Sequence, residues 1–371
     1  MKKGILGIAL VIGLLLLALL FWRDDEERAA ALIAEPNSTR TAPAGSVVGF
    51  ADRYATYAWL GIPYAQPPVG NRRWRAPGAA QPWEGILEAL TYAPPCTQLW
   101  GDMSGVDGNA GDVVGAEDCL YLNIWAPAMT KPEAEQARLP VMVWIHGGGN
   151  AIGTANTYPG PHLAGSQEVI YVAINYRLGL FGWFSHEALR GAERDGLDAS
   201  GNYGVLDMIA ALRWVRDNIA SFGGDPDNIT IFGESAGGRN VYALLGSPLA
   251  GGLFHRAIAQ SGSLQTTPRP RGENLLDAAE PGEPNSSAEV LLRLLQADGG
   301  AADRHEAIGQ LARMTPREIE NYLYRKTPSE IYSIFGTPDF GMFRAPQNYR
   351  DGTVLPLESL LQRFADQRLY N

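Results

Sequence analysis

The sequence predicts an α/β fold on a doubly wound, mostly parallel sheet, and three observations predict it. Short runs rich in β-branched residues alternate with segments of helical period between Pro140 and Gln260. Gly and turn residues bound those runs, as they bound buried parallel strands. With 371 residues, 46% of them apolar, the chain can bury the core that such a sheet requires.

The elements follow in order. Pro140 to His146 (PVMVWIH) and Val169 to Asn175 (VIYVAIN) read as buried strands. Tyr203 to Phe222 reads as a long helix, with Leu206, Ile209, Leu212, Val215 and Ile219 at three- and four-residue steps. Gly223-Gly224-Asp225-Pro226 stops it. Ile229 to Phe232 is a strand, Ser235 to Leu245 a helix and Phe254 to Gln260 a further strand. Beyond Gly262 the pattern changes to a Pro-, Gly- and Glu-rich loop over Pro268 to Pro284. Helical segments follow near Ala288–Ala297, Asp303–Arg313 and Pro316–Lys326. These are expected to form a helical cap inserted over the carboxyl edge of the sheet.

Charge and composition exclude several functions. With 30 Lys and Arg against 40 Asp and Glu, the chain lacks the positive surface that pairs with nucleic-acid phosphates, so no nucleic-acid partner is expected. Two cysteines, Cys96 and Cys119, cannot build a Cys-rich metal site, and no metal or organic cofactor is expected. Lys2 and Lys3 precede nineteen uncharged residues, Gly4 to Trp22, which a helix would extend over roughly 28 Å. The polar stretch Arg23 to Arg28 ends the run. Residues 1–28 therefore read as an uncleaved N-terminal membrane anchor, with a secretory signal cleaved near Ala29-Ala30-Ala31 as the alternative. Either way the remainder faces the exported side, anchored there or released, where paired cysteines persist.

Two glycine motifs carry the chemistry. Gly233-Glu234-Ser235-Ala236-Gly237 falls between a predicted strand and a predicted helix. A serine on such a turn projects its hydroxyl above the sheet, and the flanking glycines permit the turn and the close approach of strand to helix. The other is His146-Gly147-Gly148-Gly149, at the end of the PVMVWI strand. Successive glycines let backbone N–H groups converge on one point, as an oxyanion requires. Neither a Gly-Lys-Ser/Thr P-loop nor a G-x-G-x-x-G dinucleotide pattern accompanies it. The two motifs in this order, each at a strand end, point to acyl transfer.

The chain resembles the type-B carboxylesterase family, which includes the cholinesterases. The segments that carry the resemblance are Gly61-Ile62-Pro63-Tyr64-Ala65, Glu117-Asp118-Cys119-Leu120-Tyr121-Leu122-Asn123, the HGGG, Asn175-Tyr176-Arg177, Gly201-Asn202-Tyr203-Gly204, Phe222 to Pro226 and Gly233 to Gly238. They run densely from about residue 45 to 265, and Asp351-Gly352 with Leu355-Pro356 is similar to a later family segment. The resemblance implies the α/β-hydrolase fold over residues 35–371 and an activity on small-molecule esters. It implies Ser235 as the nucleophile, the N–H groups of Gly148, Gly149 and Ala236 as the oxyanion hole, and a disulfide between Cys96 and Cys119.

Departures from the family pattern shape the expectation. In this fold the triad runs Ser, acid, His, yet the histidines are His146, His162, His186, His255 and His305, and none suits the part. The first three precede Ser235, the family carries a structural histidine where His255 stands, and His305 lies in a charged helix start. The resemblance places the acid and the histidine beyond Asn371. The chain is thus expected to be a C-terminally incomplete, inactive piece of a serine esterase. The alternative is a catalytically inactive cholinesterase-like binding or adhesion module. Asn150 replaces the aromatic residue that commonly follows the glycine loop, which predicts a more polar acyl pocket. Trp100 in the Cys96–Cys119 loop reads as packing rather than as a cation–π platform.

Overall fold

In the computed structural model, residues 32–191 and 194–366 are described. The Lys2 to Ala31 segment, with its expected anchor or signal, lies outside them, as does Asn371. Among the described residues no helix is long and apolar enough to cross a membrane.

Seven strands form the central sheet: β1 (Phe50–Asp52), β2 (Thr56–Pro63), β3 (Tyr121–Pro127), β4 (Leu139–Ile145), β5 (Ile170–Ile174), β6 (Gly224–Glu234) and β7 (Arg256–Gln260). Their order across the sheet is β7-β6-β4-β5-β3-β2-β1. Strands β7, β6, β4 and β5 are mutually parallel, and this is the block that the β-α-β-α alternation predicts. The β5-β3, β3-β2 and β2-β1 pairings are antiparallel. Strands β1 to β3 come from the first third of the chain, where β1–β2 and β2–β3 connect without an intervening α-helix and neighbours can run in opposite directions.

The strands are apolar on both faces because both are covered. Val141, Val143 and Ile145 of β4 join Ile170, Val172 and Ile174 of β5 in one core, whereas Trp144, Tyr171 and Ala173 point into another. On the first face lies α1 (Tyr203–Asn218), which buries Leu206, Ile209, Leu212 and Val215. The expected helix to Phe222 is realised in two parts, since Ile219–Phe222 tightens to a 3-10 turn that Gly223 ends at φ +94°. Helix α2 (Ala236–Gly246) packs on the same face through Val241, Ala243 and Leu244.

The cap is helical, as expected. It comprises α3 (Ser287–Ala297), α4 (Arg304–Leu311), α5 (Pro316–Arg325) and α6 (Pro328–Tyr332). Thr315 and Thr327 open α5 and α6 with reciprocal capping boxes to Glu318 and Glu330. Val290, Leu291, Leu294, Ile319 and Leu323 pack on Ala151, Leu180, Phe181 and Phe184, which follow the carboxyl ends of β4 and β5. Within the expected Pro268 to Pro284 loop, Arg269–Glu273 forms a short helix whose Pro270 sits in the first turn, where a missing N–H is harmless. Helix α7 (Leu360–Asp366) then seats Leu360 against Gly246 of α2.

Candidate active site

The register of β4 against β6 assembles the site. Gly233 lies opposite Ile145 in adjacent parallel strands, so the chain leaves both strands at the same rim of the sheet. From β4 emerges His146-Gly147-Gly148-Gly149, and from β6 emerges Ser235. Ser235 adopts φ +56° and ψ −115°, a conformation that costs a non-glycine residue on the order of 1–3 kcal/mol. Its neighbours hold it there. The Ser235 N–H donates to the Gln260 carbonyl at 2.9 Å, and the Ser235 carbonyl accepts from Arg239 N–H at 3.0 Å, opening α2.

The flanking glycines are required by contact. A Cβ on Gly237 would lie 2.1 Å from the Ile145 carbonyl oxygen, and one on Gly233 would lie 2.7 Å from the same atom. A Cβ on Gly147 would lie 3.3 Å from the Ser235 Cβ, which sets the glycine loop directly against the serine. Gly148 and Gly149 turn the loop at φ +92° and +67°. The N–H groups of Gly148, Gly149 and Ala236 have no acceptor among the described residues. Ser235, Gly148 and Gly149 are all partly exposed, so a reacting carbonyl has access.

A carboxylesterase family model matches residues 36–280, about two thirds of the chain. The chain belongs to the carboxylesterase family. It is 48% identical over 229 residues to carboxylesterase 1C of Rattus norvegicus, covering 60% of this chain and 39% of that protein. To a medium-chain fatty acyl-CoA hydrolase precursor of Anas platyrhynchos it is 39% identical over 303 residues, 78% of this chain and 52% of the relative. The chain therefore spans about half the length, or less, of these curated relatives. Among solved structures, a PNB esterase is similar at TM-score 0.66 and 33% identity, over 89% of this chain and 61% of that one. A Geobacillus stearothermophilus carboxylesterase is similar at TM-score 0.67 and 33% identity, over 88% and 59%. The fold is the α/β-hydrolase fold that these esterases share.

Several family motifs turn out to be braces. Glu117 of the EDCLYLN segment takes Arg73 in a two-point ion pair, with Nε at 2.6 Å. Arg177 of Asn175-Tyr176-Arg177 is buried against Asp207 of α1, with contacts of 2.7 and 2.8 Å. Asn202 bonds both the N–H and the carbonyl of Tyr349, fastening the start of α1 to the segment before Asp351. Cys96 and Cys119 are disulfide-bonded, with Cα atoms 4.9 Å apart. Within their loop Gln98 brackets Gly153, accepting from its N–H at 2.7 Å and donating to its carbonyl at 3.0 Å. The glycine loop is thus steadied from the disulfide side. Trp100 packs against Gly108 and donates to the Val106 carbonyl, which is a packing role.

None of the five histidines hydrogen-bonds Ser235 among the described residues. His146 is fully buried beneath the glycine loop, stacked on Tyr176 at 4.4 Å. Its Nδ1–H donates to the Gly147 carbonyl at 2.9 Å, and burial pushes its pKa down to about 4. His186 accepts the Ala188 N–H at Nδ1, and burial likewise lowers it to about 4. His255 accepts the Ile229 N–H at 3.1 Å, the structural role expected of it. His162 meets Tyr54 edge-on, and His305 is exposed in the first turn of α4.

One expectation needs correction. Asn150 does not make the acyl side of the pocket more polar, because its side chain is turned inward and buried. Its Nδ2 donates to Asn240 Oδ1 at 3.1 Å and to Gln347 Oε1 at 3.0 Å, while its Oδ1 accepts from Asn240 and from the Tyr176 hydroxyl. Gln347 donates in turn to the Gly149 carbonyl at 2.8 Å and accepts from Arg239 at 2.9 Å. This amide network ties the glycine loop to α2, and the sequence reading missed it. Arg239 and Asn240, four and five residues past Ser235, were the available signal. Nothing in the sequence pairs Asn150 with a residue 197 positions away.

Proposed function

We propose that this protein is a serine carboxylic-ester hydrolase that works through an acyl-enzyme on Ser235. The observation that carries the reading is the strained Ser235 backbone set against a glycine loop with unpaired N–H groups. Fixed donors that need no reorganisation as charge develops are usually the largest single contribution to acyl-transfer catalysis. The Ser235 Oγ attacks the ester carbonyl carbon as its proton passes to a base. The resulting oxyanion rests on the Gly148, Gly149 and Ala236 amides. The alkoxide leaves with that proton, and water then breaks the acyl–Oγ bond to release the carboxylic acid. The base and its orienting carboxylate are assigned to a segment beyond Asn371. The lack of any histidine hydrogen-bonded to Ser235 among the described residues supports this, as does the share of the relatives' length that the chain spans. On this reading residues 35–371 belong to one hydrolase domain, exported and led by the Gly4 to Trp22 segment, and its substrate is a small-molecule ester.

The test is fluorophosphonate labelling of the protein isolated from its native source, with the adduct mapped by mass spectrometry. An adduct on Ser235 is expected, and Ser235→Ala should abolish it. An intact, unlabelled Ser235 in folded protein would overturn the reading in favour of a non-catalytic binding module.

A further inference from the structure

The glycine loop closes as a turn. The Gly148 carbonyl accepts from the Ala151 and Ile152 N–H groups, each at 3.0 Å. The Gly149 N–H belongs to the same planar peptide as that carbonyl and points the opposite way, so the shape of the turn sets its direction. Both central residues of the turn have positive φ, Gly149 at +67° and Asn150 at +59°. If the peptide between them turned over, Asn150 would return to the negative φ that a non-glycine residue prefers, and Gly149, lacking a Cβ, offers no resistance.

Gln347 opposes that rotation. It lies in the segment between the cap and Tyr349, at 9% exposure. Its Nε2 donates to the Gly149 carbonyl at 2.8 Å, and no backbone N–H among the described residues reaches that carbonyl. The Gln347 amide fits in one orientation only. Its Oε1 accepts from Arg239 Nη1 at 2.9 Å and from Asn150 Nδ2 at 3.0 Å. Turned over, its NH2 would face these two donors and its oxygen would face the Gly149 carbonyl. Arg239 carries a charge, so it is the stronger of the two donors.

We propose that Gln347 is a positioning residue of the esterase centre, held the right way round by Arg239. It keeps the Gly149–Asn150 peptide from turning over, and so keeps the Gly149 N–H aimed at the oxyanion. The consequence for rate rests on the esterase reading of Ser235, whereas the restraint on the loop does not.

Gln347→Glu isolates the contact, because a carboxylate still accepts from Arg239 and Asn150 but cannot donate to the Gly149 carbonyl. In the whole protein this variant is expected to keep its urea midpoint. Hydrogen exchange of the Ala151 and Ile152 amides, read by mass spectrometry, should nonetheless speed up by about fivefold or more. Hydrolysis of 4-nitrophenyl butyrate should lose about tenfold or more in kcat with KM within about twofold, since an oxyanion donor acts in the transition state. Arg239→Met leaves Asn150 as the lone donor to Gln347 and should show the same split, at about threefold in kcat. Unchanged loop exchange in folded Gln347→Glu, exchange that rises equally throughout α1, or a raised KM at constant kcat would overturn the proposal. If Gln347→Glu does not fold, Arg239→Met decides, and unchanged loop exchange there would overturn it. Failure of Ser235 to label in the unsubstituted protein would remove the esterase reading, whereas loop exchange tests Gln347 either way.

Discussion

At the scale of single residues the site depends on what cannot be replaced and on what is silently held. Gly148→Ala would put a Cβ 2.2 Å from the Ile152 carbonyl oxygen at φ +92°, so the loop must move and its amides leave the proposed oxyanion position. Esterase turnover of the whole protein is expected to fall by about 10²-fold or more, read as kcat. Gln347→Leu should cost about 1–3 kcal/mol in a urea melt, because buried Asn150 and Arg239 donors lose their acceptor. Two buried histidines give stability a pH dependence. His146 and His186 titrate near 4 in the folded chain and near 6.5 unfolded, so the unfolded state takes up protons first as the pH drops. Their contribution is complete above pH 6.5 and is lost as pH falls toward 4, on the order of 3 kcal/mol for each. The urea midpoint should fall across that window, and His146→Phe should flatten the fall. Ser235 was legible because the pentapeptide restricts local backbone geometry. The inward turn of Asn150 was not, because it depends on partners from α2 and from a segment far along the chain.

In the parallel block β4 and β5 were legible nearly to the residue, since both are covered on both faces and read as unbroken apolar runs, whereas β6, expected over Ile229–Phe232, runs from Gly224 to Glu234 through polar residues that left no strand signal. Strands β1 to β3 escaped the alternation reading because they lack crossover helices, and the two-residue strand Thr267–Pro268 is too short to leave a period. At this scale glycine substitutions separate packing from propensity. Gly237→Ala drives a methyl to 2.1 Å from backbone of β4 and should destabilise the fold by about 3 kcal/mol or more, with loss of Ser235 labelling. Gly309→Ala in α4 has no neighbour closer than 3.7 Å and should stabilise by about 0.5–1 kcal/mol. Thermal melts of the two variants check both signs.

For the whole molecule, the Cys96–Cys119 bond closes a 23-residue separation, and reducing it should lower stability by about 3 kcal/mol in a denaturant melt. Because Gln98 sits inside that loop and clasps Gly153, reduction is also expected to slow fluorophosphonate capture by the whole protein. The 371-residue chain by itself should show no esterase turnover above its Ser235→Ala variant, since none of its histidines hydrogen-bonds Ser235 among the described residues. The global fold was legible because the family strings fall at strand ends and helix starts, where geometry restricts sequence most.

Strand β7 lies at the margin of the sheet, with Ala257 and Ile258 turned to solvent, and its last carbonyl, on Gln260, is the acceptor that fixes the Ser235 amide. Ser235 is therefore one hydrogen bond from an edge strand of the sheet formed by the described residues. Whatever steadies or loosens that rim is transmitted to Ser235 without touching the glycine loop, so the reactivity of the serine is a gauge of how firmly the border of the sheet is held.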